Sequence, residues 1–365
     1  MNKSYTKKDL LMGFILLIIV LGIRIILSTA VIGQDPLYKT KIQAYEYMEE
    51  LMKTVSKYKQ ELNIDLSQED IHKTGMIGQS NSPITTSLGS IEAKRTSANP
   101  DMAALVVELL HKARVKSGDR IGANFSGSFP SLNLAVLSAC KAMKVEISYI
   151  TSIGSSNFGA NDPELTFPDM AIKLASEGLI KDPGVAFSIG GTNDNGLEMD
   201  GDILSNITNR LKSSGLNHLN IQDYKENLNI RKKLLERDGS ISCFVNVGGN
   251  TTSLGKGEAS IYFGQGLLTE KPIPITEKSG LIEIYRNQGT PVIHLLNLKK
   301  LTADYGMAYD PVVLPPKGTS SLYVKSSYNH IVAIVFIGVS LLGLIIYRKL
   351  KFKKDPNHKG EYEVG

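Results

Sequence analysis

Two long apolar stretches lie near the two ends of the chain, at residues 10–32 and 331–347. The first contains a single charged residue, Arg24, and the second contains none. An apolar helix needs about 20 residues to cross the hydrocarbon core of a membrane. We therefore predict transmembrane helices at residues 10–32 and 329–347. Ser28-Thr29-Ala30 leaves a second interpretation open for the first stretch, that of a signal peptide cleaved after small residues.

Basic residues flank both stretches on the side of the chain terminus. Lys3, Lys7 and Lys8 precede the first stretch, and the basic tail at residues 348–365 follows the second. Cytoplasmic flanks of membrane helices collect lysine and arginine, and such flanks also contact anionic lipid. The expected topology is two-pass in the cytoplasmic membrane. Residues 1–9 and 348–365 then lie in the cytoplasm, and the residues between the helices lie outside it.

Apolar residues recur at spacings of three and four between residues 39 and 62, which predicts an amphipathic helix. This helix follows the first membrane stretch, and residues 63–98 after it are polar and rich in Ser, Thr and Gly. We interpret residues 33–98 as a helical stalk and linker, and residues 316–328 as a second linker. Two alternatives for the apolar face are packing on its own domain and a homodimer contact through residues 39–62.

Residues 99–315 alternate between short apolar runs and amphipathic stretches. The runs predict strands, and they lie at residues 120–125, 146–151, 185–189, 241–247 and 291–296. The amphipathic stretches predict helices, and they lie at residues 99–118, 131–143, 165–179, 202–211 and 281–287. Uniformly apolar strands that alternate with helices are typical of a parallel sheet covered on both faces. The expected fold is an α/β domain outside the cytoplasm with a mainly parallel, doubly wound sheet.

Charge and cysteine content narrow the function classes. The net charge is +5, but residues 1–32 and 348–365 each carry +3, so the part between them is near −1. This distribution, together with the absence of Trp, excludes a basic nucleic-acid interface. Cys140 and Cys243 leave open one disulfide or two buried free thiols, and we favour the thiols. No metal-ligand spacing occurs, so we expect neither a metal nor a cofactor.

Four predicted strands end in loops rich in Gly and Ser. These loops are Ser126-Gly127-Ser128, Gly154-Ser155-Ser156, Gly190-Gly191 and Gly248-Gly249-Asn250. Ligands of open parallel sheets bind beyond the carboxyl ends of the strands, where glycine lets backbone N–H groups approach an anion. We predict an anion-accepting edge there. The predicted ligand-binding residues in these loops are Ser126, Gly127, Ser128, Ser155, Gly190, Gly191, Gly249 and Asn250. None of the loops has an ATP or NAD motif.

The same edge also suggests a hydrolase. Ser126 and Ser128 lie at a strand-to-helix turn, where hydrolases carry a nucleophile. His294 in the last strand is a candidate base, with Asp194 or Asp162 as the acid that orients it. A helix-capping serine and a buried structural histidine are the alternative interpretations.

Four blocks of the sequence resemble the poly-gamma-glutamate system proteins. The blocks are residues 88–101, 125–130 (Phe-Ser-Gly-Ser-Phe-Pro), 159–164 (Gly-Ala-Asn-Asp-Pro-Glu) and 188–191, and the likeness spans roughly residues 80–315. The resemblance implies a membrane-associated accessory protein of bacterial poly-gamma-glutamate synthesis or export. It adds Asn161 and Asp162 to the expected ligand-binding residues and carries over no catalytic residue. Lys94 and Arg95 are the nearest cations for a polyanion.

Three hypotheses follow from these observations. The first is an accessory protein that binds poly-gamma-glutamate or its precursor beside the membrane synthase or export subunits. The second is a serine-type hydrolase or transferase that acts on gamma-glutamyl amide bonds. The third is a structural subunit whose last helix contacts a partner through the small residues Gly338, Ser340 and Gly343.

Overall fold

The computed structural model describes residues 7–352 of the chain and contains two compact units. One unit combines the two ends of the chain, up to Gln34 and from Val324 onward. The other unit is the domain Asp35–Tyr323. The basic residues 353–365 and Lys3, which support the predicted topology, lie outside the described residues.

The described residues form twelve α-helices and thirteen strands. The helices are α1 (Lys7–Ser28), α2 (Tyr38–Glu61), α3 (Ile91–Ser97), α4 (Asp101–Lys112), α5 (Pro130–Met143), α6 (Phe167–Ser176), α7 (Gly201–Ser213), α8 (Tyr224–Leu235), α9 (Thr251–Leu254), α10 (Leu281–Asn287), α11 (Leu298–Asp304) and α12 (His330–Phe352). The strands are β1 (Val31–Gln34), β2 (Thr85–Ser87), β3 (Arg120–Phe125), β4 (Glu146–Ser152), β5 (Ser155–Ser156), β6 (Asn161–Asp162), β7 (Leu165–Thr166), β8 (Ala186–Ser188), β9 (His218–Leu219), β10 (Cys243–Val247), β11 (Gly266–Leu267), β12 (Val292–Leu295) and β13 (Val324–Ser327).

In the unit of the two chain ends, α1 and α12 are long and apolar enough to cross a membrane. The qualifying spans are Asp9–Ser28 and His330–Lys349. The prediction that the first helix reaches residue 32 is wrong. After Ser28 the chain extends into β1, which pairs antiparallel with β13, so residues 31–34 and 324–327 form a two-stranded ribbon. The ribbon also replaces part of the linker predicted at residues 316–328.

Small residues let α1 and α12 approach each other closely. A Cβ built on Gly22 would lie 2.6 Å from a ring carbon of Phe336, and one on Gly343 would lie 3.1 Å from Ile15 Cγ1. Small residues are the usual means by which apolar helices pack in membranes. Gly343, predicted to contact a partner subunit, thus faces a helix of its own chain.

The domain Asp35–Tyr323 is built on a seven-stranded sheet of order β11-β12-β10-β3-β4-β8-β9. All neighbouring pairs are parallel except β11 with β12. The mixed α/β fold with a mainly parallel sheet is confirmed. From β3 the chain adds strands in one direction and then returns to add β10 and β12 on the other side of β3. The strand order therefore reverses between β3 and β10.

Alternate residues of the central strands pack into different apolar clusters. Cys243, Val245 and Val247 of β10 belong to the largest cluster, whereas Phe244 belongs to a second one. Successive side chains of a strand point to opposite faces of the sheet. This alternation explains why the strands read as continuous apolar runs. Cys140 and Cys243 are free thiols buried in the largest cluster.

Helix α2 belongs to this domain and is not a stalk. Ala44, Met48, Leu51 and Val55 are fully buried in the largest apolar cluster, together with residues of α4 and α5. The apolar face predicted for a stalk or a homodimer contact is thus covered by the domain itself. Segment 63–98 is not a free linker either, because β2 pairs in parallel with β5 and the side chain of Ser90 caps α3 by accepting from the Ala93 N–H.

Candidate functional site

A cavity of about 380 Å³ lies at the carboxyl ends of the central strands. Its walls come from the loops after β3, β4, β8 and β10, and from the segment that carries β2 and α3. These loops include those after β3 and β10, and the strand order reverses between these two strands. In open α/β sheets this position is where ligands bind. The cavity is therefore the candidate site.

The loop after β3 contributes two serines whose positions are fixed by hydrogen bonds. Ser126 Oγ accepts from the Ser128 N–H at 3.1 Å, and Asn133 Nδ2 donates to the Ser126 carbonyl at 2.9 Å. Ser128 Oγ in turn accepts from the Ser156 N–H at 3.0 Å, which joins this loop to the loop after β4. Gly248 after β10 is in the left-handed region (φ 85°), and a Cβ there would lie 2.6 Å from Ser126 Cβ. Only glycine fits at that position.

Lys94 of α3 brings a cation to this wall. The residue is 2% exposed, and Nζ donates to the Ser128 carbonyl and to Ser156 Oγ, the latter at 2.8 Å. The same Nζ lies 3.7 Å from the centre of the Phe129 ring. Arg95, the neighbouring cation, instead makes two hydrogen bonds to Asp310 and an ion pair with Glu69. Of the two cations singled out in the sequence, Lys94 is the one that lines the cavity.

The charge of Lys94 is not balanced by a carboxylate. Among the described residues, no salt bridge involves Lys94. Burial lowers the pKa of its ammonium group from 10.5 to about 7. Removing a cation from water without a counter-charge disfavours the charged form. Lys94 is thus a buried amine that changes charge near neutral pH and faces a cavity.

The loop after β8 forms another part of the wall through Gly191, Thr192 and Glu198. The Glu198 carboxylate accepts from the Thr192 N–H at 2.6 Å. Burial acts to raise the pKa of Glu198, but hydrogen bonds from Thr192 and from the Glu198 backbone outweigh burial and lower it. The cavity therefore has a carboxylate as well as an amine on its walls.

A buried ion pair holds the loop after β8 in place. Asp194 Oδ1 accepts from Ser188 Oγ and from the Gly190 N–H, while Asp194 Oδ2 pairs with Arg231 Nη2 at 2.6 Å. Arg231 and Asp194 are 1% and 6% exposed in their side chains. A buried pair that is fully hydrogen-bonded fixes the geometry of the backbone around it.

Arg231 extends the same network to the loop after β10. It donates to Asn124 Oδ1 at 2.9 Å, and Asn124 Nδ2 donates to Thr252 Oγ1 and Ser253 Oγ. Since Thr251 lines the cavity next to Thr252, the network positions two walls of the site at once. The suggested role of Asp194 as an acid for a histidine is thus replaced by a structural role.

The predicted ligand-binding residues divide into two groups. Ser126, Ser128, Gly191, Gly249 and Asn250 line the cavity. The remaining five have side chains or backbone held away from it, and they are Gly127, Ser155, Asn161, Asp162 and Gly190.

Hydrogen bonds explain the second group. Ser155 is fully buried and donates to the Gly127 carbonyl, and Gly190 binds Asp194 through its N–H. Asn161 is fully buried and holds Gln79 by both its side-chain oxygen and its side-chain nitrogen. Asp162 accepts from the side chain of that same glutamine. These residues support the site or the neighbouring loop and do not form the cavity wall.

His294 is a buried structural residue. The residue is 1% exposed, Nδ1 accepts from Asn246 Nδ2 at 3.0 Å, and Phe263 packs edge-on against the ring. Burial lowers its pKa to about 4. In the described part of the chain no hydrogen bond joins His294 to Ser126 or Ser128. The candidate triad is therefore not assembled.

Apart from Lys94, the segment of residues 86–94 supplies a part of the cavity wall that the sequence analysis did not predict. Five consecutive residues of it, 86–90, line the cavity together with Ala93 and Lys94. The sequence does contain a signal, because Ser90 followed by Glu92 and Ala93 starts a helix. We predicted a linker there because the segment contains few apolar residues.

No group of three or more His, Cys, Asp or Glu side chains suitable for a metal ion occurs among residues 7–352. The wall of the cavity instead offers hydroxyl groups, glycine backbone, one amine and one carboxylate. Comparison of the chain with protein families, with curated proteins and with solved structures gives no match.

Proposed function

We propose that this protein is a membrane-anchored binding protein for an anionic polymer, or its precursor, and that the cavity receives a carboxylate group beside Lys94. The observation that carries the proposal is the buried Lys94 ammonium, which faces the cavity with no carboxylate partner among the described residues. A carboxylate that enters the cavity supplies the missing counter-charge. The pairing of charges in a desolvated site favours both partners.

The rest of the wall suits the same ligand. Hydroxyl groups of Ser126, Ser128 and Thr251 and the backbone of Gly191 and Gly249 line the cavity. Hydroxyls and N–H groups at a glycine-rich loop are donors for carboxylate oxygens. The volume of about 380 Å³ lies in the range of small-ligand sites, so it accepts one end or a short part of a chain.

Glu198 limits which ligands fit best. A site with both an amine and a carboxylate on its walls suits a zwitterion better than a dense polyanion. The amino-terminal residue of a γ-linked glutamate chain carries an ammonium group beside its free α-carboxylate. We therefore propose the chain end, or a free amino acid precursor, as the preferred ligand.

The resemblance to the poly-gamma-glutamate system proteins supports the identity of this polymer. We propose that α1 and α12 span the cytoplasmic membrane and that the domain lies outside the cytoplasm beside the synthase or export subunits. The two apolar helices and the basic residues at both ends support this topology.

We also propose a doubly wound sheet, since opposite faces of its strands join different apolar clusters.

Calorimetric titration of the full-length protein in detergent with poly-gamma-glutamate tests the binding. We expect Lys94→Met to weaken binding at least tenfold, because the variant removes the cation and keeps the side-chain volume. The matched control is Lys59→Met, since Lys59 is also buried and its pKa is also lowered by burial, but its amine donates to the Ile77 carbonyl away from this cavity.

Equal affinity of the wild type and Lys94→Met would contradict the proposed site. Absence of any binding by the wild type would favour the structural-subunit hypothesis instead. The amino-terminal preference is tested in the same titration with a short γ-linked glutamate peptide and its N-acetylated form. Glu198→Gln should remove the difference between these two peptides.

A further inference from the structure

We propose that Ser156 is a nucleophile for acyl transfer and that Lys94 is its general base. The inference deepens the proposed function and rests on it for the substrate, a γ-linked glutamate chain. In the reactive complex an amide of this chain, and not a carboxylate, lies beside Lys94, so the amine can stay neutral. The inference also differs from the hydrolase hypothesis drawn from the sequence, in which Ser126 or Ser128 is the nucleophile and His294 the base.

The geometry of the pair meets the requirements of an activated serine. Lys94 Nζ lies 2.8 Å from Ser156 Oγ, and both residues line the cavity. A nucleophile and its base need such a hydrogen bond, and the base needs a third group to orient it. The Ser128 carbonyl is that group, because it accepts from the same Nζ. Pairs of serine and lysine are known variants of the serine nucleophile.

The environment of Lys94 makes it able to accept a proton. A lysine with a pKa near 7 is largely neutral at slightly alkaline pH, and its lone pair is then free to accept from a hydroxyl group. The neutral amine still donates to the Ser128 carbonyl, so the pair keeps its orientation. Glu198 is the other charged side chain on the described cavity wall, and it is bound to the Thr192 N–H.

Room for the pair depends on Gly89. A Cβ on Gly89 would lie 2.8 Å from Ser156 Oγ and 3.2 Å from Lys94 Cε. The N–H of Ser156 is bound to Ser128 Oγ, so the serine cannot move away without losing this bond. The glycine therefore leaves the hydroxyl group open toward the cavity.

The chemical step is an ordinary acyl transfer. Ser156 Oγ attacks the carbonyl carbon of the amide and its proton passes to Lys94 Nζ, while the carbonyl π electrons move to oxygen. Collapse of this intermediate breaks the C–N bond, and the leaving amine takes the proton from Lys94. An ester on Ser156 remains, and attack by water or by a second amine releases the acyl group in the same order of steps.

Labelling of the full-length protein in detergent with a fluorophosphonate, followed by mass spectrometry of the labelled peptide, tests the nucleophile. We expect the label on Ser156, with a rate that increases with pH through a midpoint near 7. Ser156→Ala and Lys94→Met should each reduce labelling at least tenfold. Ser138→Ala is the matched control, because Ser138 is fully buried in α5 and lines no part of this cavity. Label on another serine, or none, would overturn the inference.

A cysteine variant keeps the inference testable if a variant at Lys94 folds poorly. Ser156→Cys should react with iodoacetamide at least tenfold faster than either native cysteine, because burial raises the pKa of both Cys140 and Cys243. A thiol beside Lys94 is expected to react at lower pH than a free thiol, because the ammonium group favours the thiolate. A rate profile with the pH dependence of an ordinary thiol would contradict the role of Lys94.

Calorimetry on the wild type, combined with the labelling result, separates the two proposals. Binding by the wild type without labelling of Ser156 would overturn the nucleophile and leave the binding function in place. Labelling of Ser156 without any binding of the polymer would overturn the binding function and leave the nucleophile.

Discussion

Two of the almost fully buried lysines of the domain, Lys41 and Lys94, differ in their partners. Lys41 is 1% exposed, and its amine lies 3.2 Å from Asp35 Oδ1 and 2.9 Å from Glu108 Oε2. It also donates to the Leu322 carbonyl, so it holds α2, α4 and the end of the domain together. Lys94 is 2% exposed and has a carbonyl, a hydroxyl group and an aromatic ring around it.

The difference shows that burial of a charge is not in itself a sign of function. Lys41 is paired with two carboxylates, so its charge is balanced without a ligand. Lys94 lacks such partners among the described residues and faces open space. Burying an unbalanced cation is unfavourable, and such groups concentrate at functional sites.

The largest expected effect is on Lys41. Lys41→Met leaves the carboxylates of Asp35 and Glu108 without their cation and should lower the free energy of unfolding by about 3 kcal/mol. Lys94→Met should change it by less than about 1 kcal/mol at pH 7, because relief of desolvation offsets the lost hydrogen bonds. Urea unfolding in detergent, followed by alkylation of Cys140 and Cys243, measures both. Similar losses of unfolding free energy in the two variants would show that the two lysines do not differ in this way.

A second prediction concerns pH. Folded Lys94 has a pKa of about 7 and the unfolded lysine about 10.5, so between these values the unfolded chain binds more protons. The free energy of unfolding should then rise with pH in this window, by up to about 1.4 kcal/mol per pH unit. Subtracting the curve of Lys94→Met isolates this contribution from that of other groups.

The same pH series in the presence of saturating polymer gives a further test. A polymer bound with a carboxylate beside Lys94, which is the binding complex and not the reactive one, stabilises the ammonium form. This binding raises the pKa of Lys94 and should flatten the difference curve. A difference curve that is flat in the absence of polymer as well would mean that Lys94 stays protonated in the folded protein. The proposed role as a base would then be excluded.

A smaller effect is expected for Gly89→Ala. The new methyl group would displace Ser156 Oγ and Lys94 Cε, and we expect affinity for the polymer to fall about tenfold, or about 1.4 kcal/mol. The control is Gly201→Ala, since a Cβ at Gly201 meets open space. Calorimetry on both variants provides the measurement. Unchanged affinity in Gly89→Ala would show that the ligand does not depend on this wall.

The fold could be read from the sequence where the chain is apolar and periodic. The strands at residues 120–125 and 243–247, and the helix Leu281–Asn287, follow the expected positions because their side chains are buried on alternating or helical faces. Helix α8 was not predicted, since Tyr224–Leu235 is dominated by polar residues. The ion pair of Arg231 with Asp194 holds this helix in place, and these two residues lie far apart in the chain.

From the sequence, the candidate cavity could be located only to one edge of the sheet. Loop glycines and serines mark the ends of strands, and their common edge follows from parallel pairing. Which of these residues line a cavity depends on long-range packing, and Asn161 shows this well because it binds Gln79, 82 positions away. Ser156 was missed for the same reason, since its significance comes from Lys94, 62 positions earlier.

The smallest predicted effect tests whether an unpaired buried group is enough to indicate a site. Ser138 in α5 is fully buried, and no partner for its hydroxyl group occurs in the described structure. Replacing it with alanine removes an unpaired polar group and should raise the free energy of unfolding by about 0.5–1 kcal/mol, with binding unchanged. Urea unfolding and calorimetry check the two parts. A lower free energy of unfolding in Ser138→Ala would mean that the hydroxyl group of Ser138 has a partner. Lys94, which also faces a cavity, would then remain the better example of an unpaired buried group.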